Sequence, residues 1–293
     1  MVFAIFWIFE YFIFEPLFAS HGFGLSLKSF QLDLIAFNTV LVAMTGYLIN
    51  DWYDQSIDRL NKPYRFLVKY SVSSARFFGL IWLPILFVIV IAVFLAFSLR
   101  SFHWVWIYPF FTFIMWYYAS SLKLKGLVGN IVVSFSIAAI PWLILLAEKT
   151  GFILLKNLDQ DAASQLVLHL SIFSLLIFLS NMARELVKDI EDAKGDKSQN
   201  SGSFFLKKGL KKTKRLVLVS VLLVLGLEIA LIMKSTWITN QFIYLSFGVL
   251  VVSVFLAFKV LKSSEKAHFS SLSFVLKILM LIGLIQVLCL GPR

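Results

Sequence analysis

With 293 residues, 60% of them hydrophobic and only 15% charged, the chain lacks the polar surface that a soluble domain of this length needs. Its net charge of +11 excludes an acidic, solvating protein, and its single cysteine, Cys289, excludes an internal disulfide or a cysteine-held zinc. Four scattered histidines, His21, His103, His169 and His268, have no metal-ligand spacing.

Apolar runs near the length that crosses about 30 Å of hydrocarbon recur from end to end. They predict nine helices, over 2–19, 31–50, 76–98, 101–120, 128–147, 165–187, 215–234, 238–260 and 268–290. The first carries Glu10 and Glu15 and no basic run before it, unlike a cleaved signal peptide. The second runs into an acidic stretch, Asn50–Arg65. The fourth ends at Tyr117 and Tyr118, and Lys123-Leu124-Lys125-Gly126 and Gly129-Asn130 follow. The sixth runs into a second acidic stretch, Arg184–Asp196, then Ser198–Ser203 (SQNSGS), which reads as a flexible connector, and the basic Lys207–Arg215. No soluble domain is evident, and residues 1–293 read as a single transmembrane domain.

Lysine and arginine assign the sides. The loops after the second, fourth, sixth and eighth helices hold 20 of the 27. Cytoplasmic loops carry such an excess. Those loops therefore face the cytoplasm, with the N-terminus inside and the C-terminus outside, in an integral, multi-pass protein of the cell (inner) membrane. The +11 charge follows this topology and points to membrane lipid headgroups rather than nucleic acid; a purely topogenic signal is the simpler account of the same residues.

Six of the nine aspartates form two triplets of identical D-x-x-D-x-x-x-D spacing, Asp51/Asp54/Asp58 and Asp189/Asp192/Asp196, offset by 138 residues. The offset suggests two related halves, 31–147 and 165–290. On a continued helix each triplet occupies one face. Three carboxylates there repel one another, and a helix C-terminus disfavours anions. A divalent cation reverses that sign, and hard carboxylate oxygens suit Mg²⁺, which also takes waters and phosphate oxygens. Lys62 and Arg65 follow the first triplet as a phosphate clamp would require. In the second, Arg184 and Lys188 alternate with Glu185, Asp189 and Asp192, which also describes a salt-bridged helix end; two copies at matched depth favour the metal site. Lys123 is of the type that contacts phosphate and Asn130 of the type that bonds a polar group, but a topogenic loop explains both equally. Among the intramembrane charges, Glu228 and Lys277 read more simply as a buried hydrogen bond or a snorkelling side chain than as functional groups. Acids at helix exits rather than at the bilayer midplane argue against a transporter.

The run N-D-x-x-D-x-x-x-D-x-x-N-K-P-x-R at Asn50–Arg65, K-D-x-x-D-x-x-G-D at Lys188–Asp196, and Y-x-x-x-x-L-K with G-N between Tyr117 and Asn130 resemble the UbiA superfamily of intramembrane prenyltransferases. The wording is most similar to its digeranylgeranylglyceryl phosphate synthase-like branch. The resemblance implies an all-α membrane protein, nine transmembrane helices around a central lipid-open cavity. It implies two Mg²⁺ ions bridging the diphosphate of a polyprenyl donor such as geranylgeranyl diphosphate. Their ligands would be Asn50, Asp51, Asp54, Asp58, Asp189, Asp192 and Asp196, with Asp54, Asp58 and Asp192 catalytic. Lys62, Arg65, Lys123, Asn130, Arg184 and Lys188 would contact the diphosphate or line the cavity. The implied acceptor is a prenylglycerol phosphate in membrane lipid synthesis; the alternatives are an aromatic quinone precursor, or a paralogue without activity. Trp116, Tyr117 and Tyr118 are candidates to face an allylic cation, although packing is the simpler reading. The chain departs from the family's pattern at Phe66, where a proline is usual, and it starts within its first helix, without the basic entry segment of relatives.

Overall fold

Hydrocarbon offers no water to backbone N–H and C=O groups, so segments this apolar must satisfy them within helices. The computed structural model describes residues 2–55, 74–193, 202–263 and 266–291, and every regular element among them is helical. The helices are α1 (Val2–Ser20), α2 (Ser29–Tyr53), α3 (Ser74–Ser98), α4 (Trp104–Ser120), α5 (Leu127–Ala147), α6 (Lys149–Leu158), α7 (Gln160–Glu191), α8 (Phe204–Lys234), α9 (Asn240–Lys262) and α10 (Lys266–Val287).

Eight of these are long and apolar enough to cross a membrane, one fewer than the nine expected. The difference is α4. Expected over 101–120, it begins only at Trp104, because the chain turns at Arg100 (φ 48°) and Ser101 bonds back to Ala96. Its 17 residues rise about 25 Å, just under a full span, yet α4 still returns the chain to the end of α2, where Lys123 meets Asp54. The added helix, α6, is only ten residues long. Outward faces carry large apolar side chains, such as Phe97 (81% exposed) and Tyr244 (74%). In water that exposure would be a liability; facing lipid it is the expected solvent contact. The chain is an integral membrane protein.

The described chain divides into two compact units. The first comprises Met1–Lys28, Ser134–Lys188 and Leu210–Arg293. In it α1 buries Phe6, Phe9, Phe14 and Phe18, and packs on the Ile140–Ala147 part of α5 and on α10. Several of its buried polar groups are tied down by hydrogen bonds, which offset the cost of burial in hydrocarbon. Glu148 accepts from the N–H groups of Ser26 (2.9 Å) and Leu27 (2.7 Å), pinning the loop after α1. Gln286 Nε2 donates to Ser246 Oγ (2.7 Å) and to Glu228. Glu228 is thus a fully buried hydrogen-bonded group, while Lys277 is exposed. Asp159 precedes α7 and accepts from Ala162 N–H (2.8 Å). That bond, and then the hydrogen bond to His21, hold its carboxyl below the usual range.

The second unit comprises Ser29–Val133 and Asp189–Gly209. Here α2, α3 and α4 pack against one another. A Cβ on Gly46 of α2 would lie 3.2 Å from Met115 of α4, so the small residue sets their close approach. Asn38 Nδ2 donates to Val88 O (3.2 Å) and Tyr108 Oη to Ile35 O (2.8 Å). Near the ends of these helices Ile49, Ile81, Ile85 and Ala119 form an apolar cluster flanked by Trp52 and Tyr118. It fixes the end of α2, where the first acidic motif begins.

Candidate functional site

Helix α2 continues past Asn50, as the spacing of the first motif requires. Asp54 N–H donates to Asn50 O at 2.9 Å, so Asn50, Asp51 and Asp54 share the last turn. Asn50 Nδ2 donates to Asp54 Oδ2 (2.7 Å), an i, i+4 pair. Lys123 Nζ donates to Asp54 Oδ2 and to Asn50 Oδ1, the latter at 3.3 Å. Asp54 is only 8% exposed. A carboxylate at that burial needs both a counter-charge and hydrogen bonds, and Lys123 with Asn50 supplies them.

Lys123 is aimed by its local chain. After α4, Leu122–Lys125 forms one 3₁₀ turn, and Gly126 follows at φ 70°, a conformation that favours glycine. The start of α5 then folds back over the turn. A Cβ on Gly129 would lie 3.0 Å from Leu122 O and 3.1 Å from Lys123 Cα. This fold-back puts Asn130, 6% exposed, in the first turn of α5. Its Nδ2 donates to Asp189 Oδ2 at 3.1 Å. The segment Lys123–Asn130 therefore touches both acidic motifs, Asp54 through Lys123 and Asp189 through Asn130. The glycine spacing K-G-x-x-G-N was the signal for this bridge.

The second motif extends its helix too. Expected to end at 187, α7 runs to Glu191, so that Asp189 is helical and Asp192 immediately follows. Asp51, Asp189 and Asp192 are all partly exposed. Arg184 and Lys188 belong to the first unit, and both turn to Glu185. Arg184 Nη1 donates to Glu185 Oε1 at 2.7 Å, and Lys188 Nζ lies 3.9 Å from its other oxygen. Glu185, 8% exposed, was not among the expected site residues, although its i, i+4 relation to Asp189 was visible. Asp58, Lys62, Arg65 and Asp196 lie outside the described residues. The aromatic candidates all have packing partners. Trp116 meets Trp82 edge-on, Tyr117 stacks on Phe113, and Tyr118 joins the Ile49 cluster.

Among the described residues no three His, Cys, Asp or Glu side chains converge into a ready cage for a metal. The donor chemistry nonetheless suits Mg²⁺, which takes one or two carboxylates and completes its shell with water and phosphate oxygens. The pairs Asp51/Asp54 and Asp189/Asp192 are of that kind, and the buried Asp54 carboxylate already holds a cation, the Lys123 ammonium.

The model of the UbiA prenyltransferase family matches residues 6–280. The digeranylgeranylglyceryl phosphate synthase of Korarchaeum cryptofilum is 31% identical over 252 residues, covering 85% of this chain and 81% of that protein. The synthase of the same name from Saccharolobus solfataricus is 31% identical over 245 residues, covering 83% and 76%. Among solved structures, that of a UbiA homologue from Aeropyrum pernix superposes with TM-score 0.68 at 17% identity, over 97% of this chain and 96% of that one. A structure described as digeranylgeranylglyceryl phosphate synthase in membranes gives 0.64 at 23% identity, over 94% and 90%. These two likenesses show the helical fold.

Proposed function

The chain belongs to the UbiA prenyltransferase family, and on that premise we propose that it transfers a polyprenyl group from a prenyl diphosphate, such as geranylgeranyl diphosphate, to the hydroxyl of a prenylglycerol phosphate. One observation carries the reading: a single short segment joins the two acidic motifs, through Lys123 to Asp54 and through Asn130 to Asp189. Two carboxylate groups tied together beside a lysine suit a multiply charged diphosphate with divalent cations. The acceptor rests on the relatives, which are named digeranylgeranylglyceryl phosphate synthase.

Asp51 and Asp54, with Asp58, would hold one Mg²⁺; Asp189 and Asp192, with Asp196, would hold a second. When bound, the ions neutralise the charge that develops on the leaving diphosphate. Among the described residues Lys123 is the cation bonded to Asp54, and it would share that task from the protein side. With Lys62, Arg65, Arg184 and Lys188 it would hold the donor's diphosphate. The allylic C–O bond then breaks, and apolar surroundings keep water from the carbocation. The glycerol hydroxyl oxygen bonds to that carbon and passes its proton to the departing diphosphate. Asn130 keeps Asp189 in place while this occurs.

The test is an acceptor panel in membranes holding the full chain. Prenylglycerol phosphate is expected to give an ether product, detected by mass, and aromatic acids none. Product only with the aromatic acid would replace the acceptor assignment; diphosphate release with neither would remove the enzymatic reading.

The basic loops favour a cytoplasmic site. With α1 and α2 both crossing, the start of α1 lies on that same side. Cysteines placed singly at Ser20 and Ser121 test this. A membrane-impermeant maleimide added to intact cells is expected to label the first and not the second; the reverse pattern would invert the topology.

A further inference from the structure

The turn that aims Lys123 is itself gripped from outside. Gly202 and Ser203 are both buried, although the sequence there reads as a flexible connector. A Cβ on Gly202 would lie 1.5 Å from the carbonyl oxygen of Leu124, so that oxygen occupies the space a side chain would need. Lys207 Nζ donates to the same oxygen at 2.9 Å. From the other side, a Cβ on Gly126 would meet Gly202 O at 3.4 Å. The carbonyl next to Lys123 is therefore seated on Gly202 and capped by an ammonium. Both belong to the stretch that follows the second acidic motif.

We propose that Gly202 and Lys207 are positioning residues for the diphosphate-binding lysine, Lys123, and that they act through the Leu124 carbonyl. The proposal rests on the functional reading above for what Lys123 binds, but not for the grip itself. Lys123 has a long, flexible side chain, so its ammonium reaches Asp54 and Asn50 together only while its backbone is held. Four residues in a 3₁₀ turn have little intrinsic stability. The grip supplies the missing constraint from the chain downstream of Asp192, so that the lysine serving the first motif is set by the segment leaving the second.

The test compares Gly202→Ala, Lys207→Met, Lys207→Arg and Lys208→Met with the unaltered full chain in detergent. Lys208 is exposed and adjacent, and its loss removes the same charge from the same segment. Two quantities are read. One is the acetylation rate of Lys123 by a water-soluble succinimidyl ester, measured by peptide mass against Lys125. The other is KM and kcat with geranylgeranyl diphosphate. Gly202→Ala is expected to raise Lys123 acetylation several-fold and to lower kcat/KM on the order of 10²-fold, the scale of a ~1 Å misplacement. Lys207→Met is expected to act in the same direction, mainly on KM and by roughly an order of magnitude less. Lys207→Arg should restore the parent values, and Lys208→Met should match them throughout.

If Gly202→Ala does not fold, Lys207→Met alone decides. Parent-like acetylation and KM in Lys207→Met would overturn the proposal, as would equal losses in Lys207→Met and Lys208→Met. If the unaltered protein transfers no prenyl group, the functional reading fails. The acetylation rates then still decide whether Lys123 is positioned by this grip.

Discussion

Replacing Asp54 with alanine is expected to abolish prenyl transfer, lowering kcat/KM by about 10³-fold or more while the helical fold persists. Burial singles out this carboxylate among the four described motif aspartates, and Asn50 from its own helix and Lys123 from the turn after α4 both hold it. Deleting a single preorganised charge-stabilising group costs roughly 10²–10³ in rate. Asp54→Ala removes one such group and also releases Lys123 and Asn50 from their fixed geometry, so the loss should exceed that range. The stability cost is smaller, about 1–3 kcal/mol for polar partners left unpaired, and a lowered melting temperature in detergent reads it. Asp54→Asn separates charge from shape: it keeps an acceptor for Lys123 but no anion, and is expected to be nearly as inactive. Chelation with EDTA should silence the parent protein, and added Mg²⁺ should restore it but not the variants. An Asp54→Ala protein retaining a tenth of parent activity would sink the assignment of this carboxylate.

Removing the lysine is expected to have the next largest effect. Lys123→Met should reduce transfer on the order of 10²-fold, again the scale of one electrostatic contact in a desolvated site. Among the described residues it leaves the buried Asp54 carboxylate bonded to Asn50 alone, an arrangement that penalises an uncompensated charge. Lys123→Arg is not expected to rescue. An ammonium is a compact point charge able to face Asp54 and Asn50 at once, whereas the planar guanidinium is larger and imposes its own fork. The control is Lys125→Met. Lys125 lies two residues on, is exposed, and has its Nζ 5.8 Å from the Tyr117 ring centroid. Losing it should leave transfer near the parent value. Equal losses at the two positions would mean that the turn contributes surface charge alone.

The membrane class and the positions of both motifs were legible in the sequence, because each rests on local chemistry. Hydropathy over about 20 residues follows from bilayer thickness, and like charges at i, i+3, i+7 are conspicuous on any helix. The helix count was off by one because it hinged on the turn at Arg100 and Ser101, a backbone event that composition does not mark. The connector reading of Ser198–Ser203 erred at its far end for a related reason. Glycine and serine signal loops in general, but Gly202 is there because another chain segment needs its empty side.

The role of the Lys123–Asn130 stretch shows where the boundary falls. From the sequence it was as well explained by topology as by ligand binding, since a lysine's type does not say what it faces. By itself the sequence determined the solvent of this protein, the family to which it belongs and the residue types of its proposed site. These depend on hydropathy and spacing along one chain. The tertiary structure alone decided that Lys123 meets Asp54, that Asn130 meets Asp189, and that Gly202 seats the turn between them. Those contacts join residues 69, 59 and 78 positions apart, and at such separations only packing determines which groups become neighbours.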